Sequence, residues 1–216
     1  MAKIGVLHTG AMGATIADAL LRAGHDVLSA TKDRSELTQS RATLVGTREV
    51  GTLDRVFEEA DVVFAIAHFG GVIIGESATW DEETQTMLTE AGTYPKALSY
   101  PTIDAALEVD FQGIYVDCNW IHPSNWEGFR ERTALLNAYV ECAIYGYPMS
   151  HEQGDLRRFA WLSGDSAQVV ADLFTDDELR SFSPIVLSPG VHAREFKEES
   201  HKNNYMPEGW GEAICR

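Results

Sequence analysis

The opening of the chain constrains it most. Lys3 to Leu7 is a short apolar run with Ile4 and Val6, the mark of a buried strand. His8-Thr9-Gly10-Ala11-Met12-Gly13 follows as a turn, and Ala14 to Ala23 places Ile16, Ala19, Leu20 and Ala23 on one helical face. Gly24 is the residue expected just past that helix. Asp26 to Ala30 then reads as a second strand. A strand, a glycine turn, a helix and a second strand in this order predict a βαβ crossover and a parallel sheet.

The rest of the chain repeats the alternation. Helices are expected over 35–44, 52–60, 102–108, 123–136, 166–173 and about 192–204. Strands are expected ending near Val50-Gly51 and over 61–66, 113–118, 139–145, 158–162 and 184–187. Ser35 and Thr52 are suited to open their helices. The stretch from about 68 to 101 interrupts the rhythm: it holds Gly70-Gly71, the apolar Val72-Ile73-Ile74, and an expected helix near 80–90 with Thr79 and Glu82 as a capping box. The fold class expected is α/β: a Rossmann-type doubly wound, mainly parallel sheet with a short C-terminal helix. Residues 1–190 would form the dinucleotide-binding unit, with the insertion at about 68–101, and residues 191–216 a helical tail.

Composition narrows the function classes. The net charge of −16 over 216 residues repels polyphosphate backbones and anionic membranes, so neither nucleic acid nor membrane is an expected partner. A single anionic cofactor is still compatible, since its site is built from local backbone N–H groups and one or two basic side chains. The three cysteines, Cys118, Cys142 and Cys215, form no CxxC pair and fit thiols in a reducing, cytoplasmic setting. No metal site is expected.

The first turn carries the chemistry. A turn between a strand and a helix binds pyrophosphate when glycines let the backbone approach and the helix N-terminus offers unpaired N–H groups. The spacing G-x-G-x-x-G falls on His8, Thr9, Gly10, Ala11, Met12 and Gly13; the second and third glycines are present and His8 replaces the first. After the second strand come Thr31, Lys32, Asp33, Arg34 and Ser35. Hydroxyls and two basic side chains there suit a ribose 2′-phosphate, which favours NADP over NAD, although Asp33 competes. Ala67 and His68, after the strand ending at Ile66, would lie beside the cofactor.

The run Ile4-Gly5-Val6-Leu7-His8-Thr9-Gly10-Ala11-Met12-Gly13 with Ala23-Gly24-His25-Asp26-Val27 resembles the opening of the 6-phosphogluconate dehydrogenase and β-hydroxyacid dehydrogenase superfamily, in a subgroup with histidine at the first glycine position. Val116-Asp117-Cys118-Asn119-Trp120-Ile121-His122-Pro123, Val140-Glu141-Cys142-Ala143-Ile144-Tyr145-Gly146 and Leu162-Ser163-Gly164-Asp165 are similar to later strand ends of that family. The resemblance implies hydride transfer between NADP and a small hydroxy acid, keto or imine substrate. It implies Lys197 as the acid–base group, with Lys202 as runner-up, and Asn119 as a substrate contact. Read as residues, Lys197 and its neighbours equally describe a solvated charged helix, and Asp117 and Glu141 equally suit a pairing role. The family continues after its lysine helix into a helical domain that forms a dimer. Here Pro207 and Gly209 predict an end to the helix soon after Lys202, so most of that domain is expected to be missing, and a homodimer remains open. Two alternatives stand beside the dehydrogenase: a non-catalytic NADP-binding or regulatory protein, and another transferase or isomerase on the same fold.

Overall fold

The computed structural model describes residues 1–66, 79–81, 86–89, 92–94, 100–119, 126–145, 158–175 and 182–202. Its main sheet has eight strands. These are β1 (Lys3–Leu7), β2 (Asp26–Ser29), β3 (Arg48–Glu49), β4 (Val62–Ala65), β8 (Ile114–Asp117), β9 (Ala138–Tyr145), β10 (Arg158–Ser163) and β11 (Phe182–Val186). They lie in the order β11-β10-β9-β8-β4-β1-β2-β3. The chain winds outward from β1 through β2 to β3, then returns to the other side of β1 with β4. The sheet is parallel except where β10 runs against β9. This is the doubly wound, mainly parallel α/β sheet expected, and its order reverses at β1, where a crevice opens at the carboxyl ends of the strands.

Helices cover both faces. On one, α1 (Ala11–Arg22) and α6 (Ala167–Asp172) pack Ile16, Ala17, Leu20, Val170 and Phe174 on Ile4, Val6, Phe64 and Val116. On the other, α3 (Leu53–Glu59), α4 (Tyr100–Glu108) and α5 (Trp126–Thr133) pack Val56, Ile103 and Phe129 on Leu7, Val63 and Tyr115. Strand residues alternate between the two clusters because successive side chains leave opposite faces, and both faces are apolar. The helix α2 (Glu36–Val45) leans on α1, with Ala42 its one buried side chain. Ser35 caps α2 by accepting from Thr38 N, and Thr52 caps α3 by accepting from Arg55 N, as the sequence suggests.

Two expectations are corrected. Within the region near 80–90, where a helix is expected, the described residues are strands. A separate antiparallel sheet pairs β5 (Thr79–Asp81), β6 (Thr86–Thr89) and β7 (Gly92–Tyr94), so Thr79 is a strand residue and not a cap. The residues that favour strands here are the β-branched Thr79, Thr86, Thr89 and Thr93 with Trp80 and Tyr94. The third strand ends at Glu49, just before Val50-Gly51. Cys118 and Cys142 are free; burial raises the Cys118 thiol, and so does a hydrogen bond to Cys142 on the neighbouring strand. This fits inert core thiols; Cys215 lies outside the described residues, as do Gly70-Gly71 and Val72-Ile73-Ile74.

The last helix, α7 (Ala193–Lys202), extends the second face by packing Ala193 and Phe196 against Ala143 and Trp161. Its first turn is capped from the sheet, with no local cap needed. Ala193 N donates to Ser163 Oγ at 3.0 Å and Arg194 N to Glu141 Oε2 at 3.2 Å. A carboxylate at a helix N-terminus is favourably placed against the backbone dipole. Arg194, 6% exposed, also pairs with Asp117 and with Glu141 Oε1, the latter at 2.6 Å. We expect Arg194→Ala to lower the unfolding free energy by ~3–5 kcal/mol, because it strands two carboxylates in the core. Adding Asp117→Asn and Glu141→Gln to that variant should recover part of the loss, read by denaturant unfolding.

Candidate dinucleotide site

The crevice is built around the turn after β1. His8 adopts φ 65°, a left-handed conformation rare outside glycine, and its carbonyl accepts Gly10 N at 2.6 Å. This folds the chain back so that α1 starts immediately. A Cβ on Gly13 would stand 2.4 Å from the His8 carbonyl oxygen, so only glycine lets the helix approach the turn this closely. The glycine at the third motif position is thus required by close packing, while Gly10 is open, its Cβ position 3.9 Å from the same oxygen.

Beyond the Gly10 N–H, no side chain among the described residues caps the donors of this turn. Gly10 at the N-cap makes no side-chain cap, and the first turn of α1 holds no acidic residue. The N-terminal N–H groups of a twelve-residue helix therefore face the crevice without a capping side chain. Two buried side-chain atoms beside them, His8 Nδ1 and Thr9 Oγ1, have no hydrogen-bond partner among the described residues. Thr9 is 0% exposed. Buried polar atoms without partners are costly and rare, and here both cluster where an anion would sit. The residues present therefore fit a pyrophosphate.

A cleft of about 380 Å³ continues from this turn across the sheet edge, lined by Leu7, His8, Ala30, Asp33, Arg34, Gly51, Thr52 and Leu53. Arg34 is exposed and close enough to act on His8. Burial first, then the Arg34 charge, pushes the His8 pKa down to about 4, so the ring is neutral at pH 7. The turn from Thr31 to Arg34 is closed by Arg34 N donating to Thr31 O, and Gln39 Nε2 holds the carbonyls of Lys32 and Arg34.

The structure places the expected residues unequally. His8, Thr9, Gly10, Ala11, Met12 and Gly13 form one turn, and Arg34 lines the same cleft as His8. Lys32 is exposed and is not among the cleft-lining residues. Ser35 is accounted for as the cap of α2. Thr31 turns its hydroxyl to Glu49 Oε2 at 2.6 Å rather than leaving it open, and Thr31 N donates to the same oxygen at 2.8 Å. Ala67 and His68 lie outside the described residues, as does His122.

The second expected pair lies further along the carboxyl edge. Asn119 is buried, with Nδ2 donating to Asp117 Oδ2 at 3.1 Å and its backbone N to Asp117 Oδ1 at 2.9 Å. Its carbonyl accepts Arg194 Nε at 3.1 Å. Lys197, one turn along α7 from Arg194, donates from Nζ to Ile144 O at 2.6 Å. Burial lifts the Asp117 carboxyl, and the Arg194 charge and the Asn119 hydrogen bonds oppose that. Burial alone would lower the Arg194 guanidinium; Tyr139, Asp117 and Glu141 together raise it. Arg194 also lies 4.8 Å from the centre of the Phe129 ring. Sequence reasoning did not single out Arg194 or Glu49. A signal for Arg194 existed: Asp117 and Glu141 at adjacent strand positions, both in apolar runs, call for a buried cation.

Residues 3–73 match a family model described as NADP oxidoreductase, coenzyme F420-dependent. No curated protein is significantly similar in sequence. Among solved structures, one is a conserved protein of unknown function reported as similar to 3-hydroxyacid dehydrogenases (22% identity, TM-score 0.59, 89% of this chain and 59% of that one). An imine reductase variant from Myxococcus stipitatus in complex with NAD+ aligns at 14% identity with TM-score 0.60, over 100% of this chain and 63% of that one. The 3-hydroxyisobutyrate dehydrogenase of Mycobacterium tuberculosis aligns at 18% identity with TM-score 0.60, over 91% of this chain and 58% of that one. The chain thus spans less than two thirds of the length of these proteins. Its fold is the doubly wound α/β fold that these dehydrogenases and imine reductases share.

The neutral His8 ring has a consequence for stability. Its folded pKa of about 4 lies below the ordinary 6.5, so the unfolded chain binds more protons between those values. The contribution is fully present above pH 6.5 and is lost as the pH falls toward 4. We expect the wild type to lose up to ~3 kcal/mol more than His8→Asn over that range in denaturant unfolding. Asparagine is chosen because it tolerates positive φ.

Proposed function

We propose that this chain is the cofactor-binding part of an NAD(P)-dependent oxidoreductase that acts on a small hydroxy acid, keto or imine substrate. The observation that carries this reading is the bare N-terminus of α1 with two buried, partnerless side-chain atoms beside it, at the mouth of a cleft that ends in Arg34. The cofactor, when bound, supplies or accepts the hydride.

The backbone N–H groups of Ala11, Met12 and Gly13 would hold the pyrophosphate, with His8 and Thr9 closing on it from β1. A neutral His8 can donate one hydrogen bond there without adding charge. Arg34 would pair with a ribose 2′-phosphate, which favours NADP over NAD; Lys32 adds positive charge near the rim. In the same reading Asn119 contacts the substrate and Lys197 exchanges a proton with its oxygen or nitrogen. The Ile144 carbonyl keeps Lys197 Nζ at the carboxyl edge of the sheet. Residues 1–190 are the cofactor-binding unit in this account, and the protein works in the cytoplasm. Among the described residues no helix is long and apolar enough to cross a membrane.

A second reading, a non-catalytic dinucleotide-binding or regulatory protein, draws support from one observation. Both side chains assigned to catalysis, Asn119 and Lys197, make hydrogen bonds within the protein. Turnover separates the two readings, since each requires cofactor binding.

Calorimetric titration with NADPH and NADH is the test. We expect micromolar binding of NADPH and a loss of ~10-fold or more in Arg34→Ala, with NADH affinity unchanged, because a charge-assisted pair contributes on that scale. Oxidoreductase activity abolished by Lys197→Ala would favour the enzyme. Absence of binding by either dinucleotide would end both readings.

A further inference from the structure

An acidic group that the sequence does not advertise stands beside the cleft, bonded to one of its lining residues, Gly51. Glu49, the last residue of β3, reaches back over the end of β2. Its Oε2 accepts Thr31 N at 2.8 Å and Thr31 Oγ1 at 2.6 Å, and its Oε1 accepts Gly51 N at 2.9 Å. The O–H···O distance is that of a charge-assisted bond to an ionised carboxylate. Three donors hold both oxygens, so the group is fixed rather than swinging in solvent. Thr31 itself is buried, 6% exposed.

The position matters more than the bonding. Thr31 follows Ala30, and Glu49 precedes Gly51 by two residues; Ala30 and Gly51 both line the cleft. The carboxylate thus joins Thr31 to Gly51 just beyond the end of β2, where the adenosine ribose lies when a dinucleotide binds a doubly wound sheet. It also occupies the N–H and hydroxyl of Thr31, donors that a 2′-phosphate placed there would otherwise take. Asp33 lines the same cleft as Arg34, so the Glu49 carboxylate is the second acidic group in this neighbourhood.

We propose that Glu49 is a specificity-determining residue of this cleft: its carboxylate favours a ribose 2′-hydroxyl over a 2′-phosphate and so opposes the preference that Arg34 provides. The balance of Arg34 against Glu49 leaves the wild type with a narrowed preference between the two cofactors. Removing the Glu49 charge widens it toward NADP. This inference rests on the reading that the cleft binds a dinucleotide.

The experiment measures the affinities of the full chain for NADH and NADPH, and for AMP and adenosine 2′,5′-bisphosphate. It compares the wild type, Glu49→Gln and Glu49→Asp, each checked for folding by thermal denaturation. In Glu49→Gln the ratio of NADPH to NADH affinity should rise ~10-fold or more, mainly through tighter NADPH binding, and the bisphosphate should gain over AMP in parallel. Glu49→Asp keeps the charge on a shorter side chain. It should retain the wild-type ratio even if the protein loses stability. A ratio unchanged in Glu49→Gln while both dinucleotides still bind would overturn the inference and leave the cofactor reading intact. Equal weakening of both dinucleotides would do the same, since Glu49 would then be a strut between β2 and β3 and nothing more. Binding of neither dinucleotide to any of the three proteins would overturn the cofactor reading and this inference with it.

Discussion

One buried cation organises the second half of the sheet. Arg194 satisfies two carboxylates, Asp117 and Glu141, that neighbouring parallel strands place side by side. Its Nε takes the Asn119 carbonyl, and its NH1 also reaches the Tyr139 hydroxyl at 3.2 Å. Without it the carboxyl ends of β8 and β9 would hold two like charges inside an apolar cluster, an arrangement that interiors do not sustain. With it, Glu141 can use its other oxygen to cap α7, so a single residue both neutralises the strand ends and begins the helix that covers them. The orientation of α7, and hence of Lys197, follows from this pairing.

The first half of the sheet works by the opposite principle. At β1 and α1 the helix N-terminus has no side-chain cap, and His8 Nδ1 and Thr9 Oγ1 have no partner among the described residues. The close approach that creates this arrangement depends on Gly13, since any Cβ there would collide with the His8 carbonyl. Desolvation of the turn then keeps His8 neutral. The same burial that makes unpaired polar atoms costly here favours a ligand that bonds them.

These differences explain what could be read in advance. The βαβ opening, the caps at Ser35 and Thr52, and the doubly wound order follow from local patterns of period, cap and turn, which a single sequence carries in full. The strand residues between Thr79 and Thr89 read as a helix in sequence because acidic and polar residues between threonines mimic a capped helix start, while strand pairing depends on partners several residues away. Arg194 and Glu49 act through long-range contacts, to positions 77 and 18 residues distant. Arg194 sits in a run of charges, Arg194-Glu195-Phe196-Lys197-Glu198-Glu199, that looks like a solvated surface. Only the stacking of α7 on β9 turns one of those charges inward. Likewise Thr31 promised an open hydroxyl until β3 brought Glu49 beside it.

The two halves of the carboxyl edge therefore stand at different distances from function. Binding at the β1 turn can use His8 Nδ1, Thr9 Oγ1 and the uncapped first turn of α1, which have no side-chain partner among the described residues. Chemistry at Asn119 or Lys197 would compete with existing bonds to Asp117 and Ile144. A substrate oxygen would have to offer Lys197 a better acceptor than the Ile144 carbonyl. A developing negative charge does so and a neutral ground-state carbonyl does not. Dinucleotide binding can then persist in variants that have lost turnover, and the cofactor affinity alone does not report on catalysis. The buried Arg194 cluster fastens α7 to β8 and β9, so a change in the packing of either strand bears directly on the proposed acid–base group.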